Sequence, residues 1–294
     1  MKRLQKGPVL WLAPMLIILI ALFVYPTLEV LRYSFTNMSL LSNEYTYTLE
    51  SYIRILTDSK TLQVLAVTVV FVFFSVLGQT FFGLIVALAI TKGEDLHLRG
   101  TVFVRVVSLV SWAIPGVIIG VIWKMLLNES DSGILTYFLH SLGVEKVVFL
   151  TSGASALSCA IIANIWRGTA QSMILSYAGL KTISKDILEA ADIDGASSLQ
   201  RLIYITLPSI ISVLSINVVL NTIATFNTFD MVMALTGGGP GDSTEVLALT
   251  TYNQIFKSMS LGQGSAYAIL LLVINGCMAM VYFAFLKRRG DMLE

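Results

Sequence analysis

Six runs of mostly apolar residues, each long enough to cross a lipid bilayer, divide the chain. They lie at about 9–33, 62–90, 101–127, 154–177, 204–234 and 265–286. A transmembrane helix needs about 20 such residues. The pattern therefore predicts an all-α polytopic membrane protein with six spans. No low-complexity linker separates the runs, so we expect a single transmembrane domain over residues 1–294.

The composition supports a membrane protein and excludes several functions. The chain of 294 residues is 56% hydrophobic and only 13% charged, against about 25% charged residues in a soluble domain. Cys159 and Cys277 lie inside apolar runs and are interpreted as small core residues. No Cys/His cluster has the spacing of metal ligands, so we expect no metal site. A net charge of +1 gives no reason to expect nucleic acid as a partner.

The distribution of Lys and Arg predicts the orientation. The first run follows basic residues as a signal peptide does, but it lacks a small-residue cleavage pattern and is interpreted as a span. About twice as many Lys and Arg residues fall on the N-terminal side of the membrane as on the other. Positive charge favours the cytoplasm. We therefore expect both termini, and the segment between spans four and five, to be cytoplasmic.

The segment between spans four and five is polar and has signals for two short helices. Ser184 is placed to cap a helix, and Asp186 lies in its first turn, where the helix dipole favours negative charge. Gly195 allows the chain to turn, and Pro208 lies near the start of span five. The pattern predicts a compact helical projection over 184–201, which we call the coupling segment.

The same segment carries a sequence signature. Glu189-Ala190-Ala191, then Gly195, then Ile205-x-Leu207-Pro208 reproduce the pattern EAA…G…I-LP. In this the chain resembles the permease subunits of binding-protein-dependent ABC importers. "TGGGPGDSTEVL" and "YPTLEVLRYSFTNM" are similar to the maltose-transporter type, in particular to the first of its two permease subunits.

The resemblance implies a type I ABC importer permease fold and a set of partners. These are a second permease, two ATP-binding subunits and an extracytoplasmic solute-binding protein, in a bacterial or archaeal cell membrane. It also implies that the coupling segment docks into a groove on the ATPase. The residues implied in coupling are Glu189, Ala190, Ala191, Gly195, Leu207 and Pro208.

The chain has no sequence pattern for a nucleotide site of its own. The P-loop pattern G-x-x-x-x-G-K-[ST] does not occur. The glycine run 237–239 lacks the following Lys-Ser/Thr and comes after a span rather than a strand. We therefore expect no enzymatic activity and no cofactor in this chain, with ATP and Mg²⁺ used by the partner ATPase.

Polar residues follow one face of each of two neighbouring spans. Polar groups inside a bilayer are costly, so they usually face the protein interior or a cavity. Their spacing repeats every three or four residues, as on one helical face. The residues are Asn164, Arg167, Gly168 and Gln171 in span four, and Asn217, Asn221, Thr225 and Thr228 in span five. They predict a wet cavity suited to a polyhydroxylated ligand; the alternative is that they hold helices together or contact the partner permease.

The resemblance also implies which residues would contact a sugar. Aligned on Trp166-x-Gly168 and Gly238-Gly239-Pro240, the family's sugar contacts fall on Asn164, Arg167, Gly168, Gln171, Asn221, Ala224, Thr225 and Thr228. Only Asn164 and Gly168 keep the expected residue type. The aromatic and amide character at the other positions is largely absent, which argues against maltose itself.

Arg167 is the sharpest departure from the family pattern. It lies near mid-membrane, where an unpaired arginine would cost several kcal/mol. We expect no acidic residue of spans four and five within a turn or two of its depth. One hypothesis is that it binds an anionic group on the substrate, as in a uronate-containing sugar. The alternative is that it bonds backbone carbonyls or the partner permease.

Three other functions compete with a carbohydrate importer. An ABC permease for a non-sugar solute, such as a glycerol phosphodiester, shares every feature above except the sugar. A secondary carrier would need coupling carboxylates within the spans, for which Asp230 is the nearest candidate. An intramembrane enzyme would need a catalytic cluster, but His97 and His140 are predicted on opposite sides of the membrane.

Overall fold

A computed structural model describes residues 6–42, 44–130, 133–144 and 148–290. Within these ranges the chain is all-α, and the only β structure consists of isolated bridges. The helices are α1 (Lys6–Leu19), α2 (Tyr25–Ser34), α3 (Glu50–Thr57), α4 (Ser59–Asp95), α5 (Thr101–Ala113), α6 (Gly116–Leu126), α7 (Ile134–Ser141), α8 (Gly153–Leu180), α9 (Lys185–Ile193), α10 (Ser198–Arg201), α11 (Leu207–Phe226), α12 (Asp230–Leu235), α13 (Leu247–Phe256) and α14 (Leu261–Gly290). Two π-helical turns, Ile20–Val24 and Leu202–Thr206, join α1 to α2 and α10 to α11.

The predicted fold class, an all-α membrane protein, is confirmed. Four helical stretches in the described residues are long and apolar enough to cross a membrane: Trp11–Ser34, Ser59–Asp95, Ser198–Phe226 and Leu261–Tyr282. The pair α5 and α6 forms a fifth if the two count as one span. At 1.5 Å per residue, the 28 residues of α8 extend about 42 Å. Its sequence is interrupted by small and polar residues, which include those of the predicted polar face.

The predicted span 101–127 is broken in its middle. α5 ends at Ala113 and α6 begins at Gly116, with a bend of 100° between them. Pro115 precedes α6 and has an extended backbone. A proline has no backbone N–H and disfavours helix at the residue before it. The break therefore has a local cause that is visible in the sequence.

The predicted span 204–234 is also interrupted, in its last third. α11 ends at Phe226, and a new helix, α12, starts at Asp230. α12 packs closely on α6, because a Cβ added to Gly120 would meet the Met231 carbonyl oxygen and the Ala234 Cβ. Small residues let two short helices approach each other in this way.

The chain forms two compact units. One lies within Met1–Thr61 and Thr250–Val273, and the other within Leu62–Leu249 and Ile274–Glu294. In the first unit, the Leu40 amide donates to the Met259 carbonyl over 2.8 Å. The second unit contains α5 to α12 and both candidate sites described below. That residues 1–294 act as a single transmembrane domain stays a prediction.

Candidate functional site

All eight residues predicted to contact substrate line one cavity, of about 90 Å³. They come from α8, from α11 and from the turn that follows α11. Gln79 and Trp112 complete the lining, from α4 and α5. The wall combines amide, hydroxyl and guanidinium groups with one indole ring. These groups can donate and accept hydrogen bonds from a ligand with many hydroxyls.

A chain of side-chain amides joins α8 to α11 along one side of the cavity. The Asn217 amide donates to the Ser172 hydroxyl over 2.7 Å, and the Asn221 amide donates to the Asn217 carbonyl oxygen over 3.0 Å. Asn164 reaches the Thr225 hydroxyl at 3.5 Å. The polar stripes therefore also hold two helices together, as the alternative interpretation of them proposed.

Gln171 differs from these amides because, among the residues that the structure describes, its side chain makes no hydrogen bond of the kind that joins Asn164 and Asn217 to their neighbours. It lies on the same face of α8 and is half-buried against the cavity. A polar group in that position can serve a ligand without being needed for the helix pairing.

Gln79 was missed by the sequence analysis and explains why position 168 is glycine. The side-chain amide of Gln79 donates a hydrogen bond to the backbone carbonyl oxygen of Asn164 over 3.0 Å. A Cβ added to Gly168 would overlap the Gln79 side chain, so α4 and α8 approach closely at this point. A glutamine in the middle of an apolar run was the available signal, since such residues rarely face lipid.

Trp112 was also missed, and it supplies the aromatic surface that the sequence lacks at the expected positions. It lies on α5 two residues before Ile114, where the helix bends, and its side chain is 54% exposed. Its place in the cavity depends on the packing of α5 on α8, which no local pattern shows.

Arg167 has an acidic partner within the chain, so the expectation that none lies near it was wrong. Its Nη1 atom lies 3.5 Å from Oδ1 of Asp230, and the two side chains are 27% and 31% exposed. Because α11 ends at Phe226, Asp230 does not continue along α11 and lies near α8 instead. The pair places a compensated charge beside the cavity.

The Asp230 carboxylate is also held against the start of α6. A Cβ on Gly116, the first residue of α6, would overlap this carboxylate. The positive end of a helix dipole favours an anion at that place. Nearby, the rings of Trp123 on α6 and Trp166 on α8 meet edge to face, with centroids 6.4 Å apart. α6, α8 and α12 therefore pack together beside the cavity.

The coupling segment has the predicted local structure. The Asp186 amide donates to the Ser184 hydroxyl, which caps α9. Gly195 has a φ of +75°, with nothing within 4 Å of an added Cβ, so only its backbone conformation requires glycine. Ser197 and Gln200 form a capping box at α10. An ion pair of 2.6 Å between Arg201 and Asp192 closes the two helices on each other.

The residues implied in coupling differ in how far they are buried within the chain. Glu189, Ala190 and Pro208 are exposed, Leu207 is half-buried, and Ala191 is buried at 6% exposure. Ala191 therefore packs within the chain, and its role in coupling stays a prediction. Apolar side chains near the exposed coupling residues are exposed as well: Ile193 is 86% exposed and Tyr204 is 75% exposed. An exposed apolar surface of this kind is typical of an interface.

The segment connects the two helices that line the cavity. α8 ends at Leu180 and α11 begins at Leu207, with α9, α10 and a π-helical turn between them. A displacement of the segment therefore acts on both cavity walls. A polar cavity between membrane-spanning helices is typical of a membrane permease.

Comparison with known proteins identifies the family. Residues 80–290 match the family described as "Binding-protein-dependent transport system inner membrane component". The chain belongs to this family, and the resemblance drawn from the EAA signature is confirmed.

Characterised relatives and solved structures agree with this assignment. The "Trehalose/maltose transport system permease protein MalF" of Thermococcus litoralis is 36% identical over 243 residues, which is 83% of this chain and 80% of that protein. The "Sulfoquinovosyl glycerol transport system permease protein SmoG" of Agrobacterium fabrum is 30% identical over 96% of this chain and 90% of that protein. A chain from a bacterial ABC transporter involved in the import of the acidic polysaccharide alginate shares the fold, with a TM-score of 0.80 at 19% identity over 96% of this chain and 97% of that chain.

Proposed function

We propose that this chain is the translocating subunit of an ATP-driven carbohydrate importer and that its substrate binds in the cavity between α8 and α11. The observation that carries the proposal is the meeting of ten residues in one polar cavity whose two main walls are joined through the coupling segment. Relatives named for trehalose, maltose and multiple sugars support a carbohydrate. The chain itself does no covalent chemistry in this proposal.

The proposed complex contains a second permease, two ATP-binding subunits and an external solute-binding protein. A solved complex of an alginate transporter with a sugar-bound periplasmic protein has the same fold in its permease, which supports the binding protein as partner. ATP-driven closure of the ATPases would move the segment 184–201, with both termini on the same, cytoplasmic side. The cavity would then open alternately to the two sides of the membrane.

The size of the cavity fits this cycle. Pockets that hold small ligands usually measure about 300–1,000 Å³, whereas this one measures about 90 Å³. A sugar therefore needs α8 and α11 to separate, or a wall supplied by the second permease. Such a separation would break the side-chain hydrogen bonds that Asn164 and Asn217 make between the two helices.

The charge of the cavity argues for a neutral sugar. Asp230 already compensates Arg167, so an anionic substrate is not needed to neutralise the arginine. An anion entering beside Arg167 would also meet the Asp230 carboxylate, which is held in place by α6. Like charges at such distances repel by several kcal/mol when partly desolvated.

The competing solute is a glycerol phosphate ester, because relatives named for sn-glycerol-3-phosphate are 29% identical over 96% of this chain. The experiment is sugar-stimulated ATP hydrolysis by the reconstituted complex with its binding protein. We expect stimulation by neutral di- or trisaccharides such as trehalose, and none by alginate oligosaccharides or glycerol 3-phosphate. Stimulation by the phosphate ester alone would replace the carbohydrate in this proposal, and no stimulation by any solute would overturn the importer.

A further inference from the structure

A second cluster of charged and aromatic side chains lies away from the cavity, where three helix ends meet. Glu94 is the penultimate residue of α4, Arg105 lies in the first turns of α5, and Tyr177 lies in the last turn of α8. Lys181 caps the end of α8, three residues before Ser184 opens the coupling segment. None of the residues that line the cavity belongs to this cluster.

Glu94 is the centre of the cluster. Its carboxylate lies 2.8 Å from Nζ of Lys181 and accepts a hydrogen bond from the Tyr177 hydroxyl at 2.9 Å. Arg105 donates to the same hydroxyl over 3.2 Å and lies 3.7 Å from the carboxylate. Both cations also lie 5.4 Å from the centre of the Tyr177 ring. One acidic residue thus joins three helix ends through charge-assisted contacts, which are stronger than neutral hydrogen bonds.

The cluster is shielded on one side by an apolar core. Ala87, Ile90, Met173, Leu180 and Ile210 are buried together, and Tyr177 packs against them. Glu94 is 25% exposed, so its interactions are only partly screened by water. The hydrogen bond with Glu94 raises the pKa of Lys181, so that this lysine stays charged over the physiological range.

We propose that Glu94 is a positioning residue of the transport cycle, which transmits displacement of the coupling segment to α4 and α5. Without Glu94, the segment is covalently continuous with α8 and α11 and faces the end of α4 only across a cavity. With it, a pull at 184–201 reaches Lys181 and passes through one carboxylate to two further helices. α5 carries Trp112 and α4 carries Gln79, so the remaining cavity walls would move together with α8. The inference rests on the proposed coupling role of 184–201.

The test is hydrogen–deuterium exchange in the purified complex of this chain with its partner permease and ATPase subunits, in lipid nanodiscs. Exchange is compared in each variant with and without ATP and vanadate. In the wild type, nucleotide should change deuterium uptake in 184–201 and also in 92–104, the connection between α4 and α5. In Glu94→Gln we expect the response in 184–201 to remain and the response in 92–104 to be lost.

Matched variants separate this role from general stability. Lys181→Met should behave as Glu94→Gln, whereas Lys181→Arg keeps the cation and should restore the wild-type response in 92–104. Glu50→Gln makes the same change of charge on α3, where Glu50 pairs with Arg54, and should leave both responses intact. A wild-type response of 92–104 in both Glu94→Gln and Lys181→Met would overturn the inference. A wild-type complex in which 184–201 itself does not respond would contradict the proposed coupling role and this inference with it.

Discussion

At the scale of single residues, the cavity is lined by seven of the eight residues that form the two polar faces, whereas the eighth, Asn217, donates a hydrogen bond to Ser172 instead. Positions 164, 167, 168 and 171 share a face of α8 wherever that helix packs. Asp230 could not be placed in the same way. Its approach to Arg167 depends on the end of α11, which no proline in the sequence indicates. Gln79 and Trp112 likewise reach the cavity only through tertiary packing.

The glycine at 168 gives a test of the close approach of α4 and α8. Gly168→Ala adds a Cβ that overlaps the Gln79 side chain, and we expect it to destabilise the protein by about 1–3 kcal/mol. Gly276→Ala is the control, because an added Cβ at Gly276 has nothing within 4 Å. It should be neutral or stabilising by up to about 1 kcal/mol. Thermal unfolding in detergent measures both; equal melting temperatures would contradict the packing described.

The ion pair in the cavity wall gives a test of substrate charge. Asp230→Asn leaves Arg167 without its counter-ion, and because the pair is partly exposed we expect a loss of only about 1 kcal/mol in stability. Selectivity should change more than stability, with ATPase stimulation by an anionic sugar such as an alginate trisaccharide appearing in the variant. Unchanged discrimination between neutral and anionic sugars would show that the pair does not set it.

At the scale of elements, the sequence predicted helices well and their interruptions unevenly. Pro115 marks the bend between α5 and α6, so that break was available from local chemistry. The end of α11 at Phe226 was not, since Asn227–Phe229 carry no comparable signal. In the coupling segment the capping residues and the glycine determined the structure locally, and there the prediction matched closely.

The turn in the coupling segment can be tested through its backbone. Gly195→Val puts a β-branched residue at positive φ, which costs at least about 1–2 kcal/mol, whereas Gly195→Asn is tolerated better. We expect Val to weaken retention of the ATPase subunit on the purified complex about tenfold, and Asn to weaken it less. Gly143→Val is the control, since Gly143 has a φ of +85° and equally open surroundings in another loop. An equal loss in Gly143→Val would assign the effect to general misfolding.

The Glu129 carboxylate also holds the residues that precede α8. Burial alone would raise the pKa of Glu129, but hydrogen bonds from the Thr151 hydroxyl and from the amides of Leu150, Phe149 and Thr151 outweigh it and lower the pKa below 4.5. Its contribution to stability is therefore present above about pH 4.5 and is lost as pH falls through the lowered value. At pH 6, the free energy of unfolding of Glu129→Gln should be about 1 kcal/mol lower than that of the wild type, so the variant should melt at a lower temperature. The melting temperatures of the two proteins should converge toward pH 3. A constant difference across that range would contradict the assignment.

At the scale of the whole molecule, the sequence indicated both the membrane location and the family. Composition, apolar runs and the EAA signature do not depend on tertiary detail. What they could not give is the state of the cavity, which is too small for a sugar in this conformation. In the proposed function, a sugar needs either motion of the helices that the coupling segment joins or a wall supplied by the second permease.

The most direct test of substrate binding in this cavity is ATP-driven uptake of a labelled neutral oligosaccharide by proteoliposomes containing the complex. Gln171→Leu keeps the approximate size of the side chain and removes a polar group that no helix pairing uses. We expect the KM for uptake to rise about tenfold, the equivalent of one lost hydrogen bond of about 1.4 kcal/mol, with sugar-independent ATP hydrolysis unchanged. Ser158→Ala, an exposed position on the same helix, should transport as the wild type does. Unaltered uptake kinetics in Gln171→Leu would contradict a substrate site between α8 and α11.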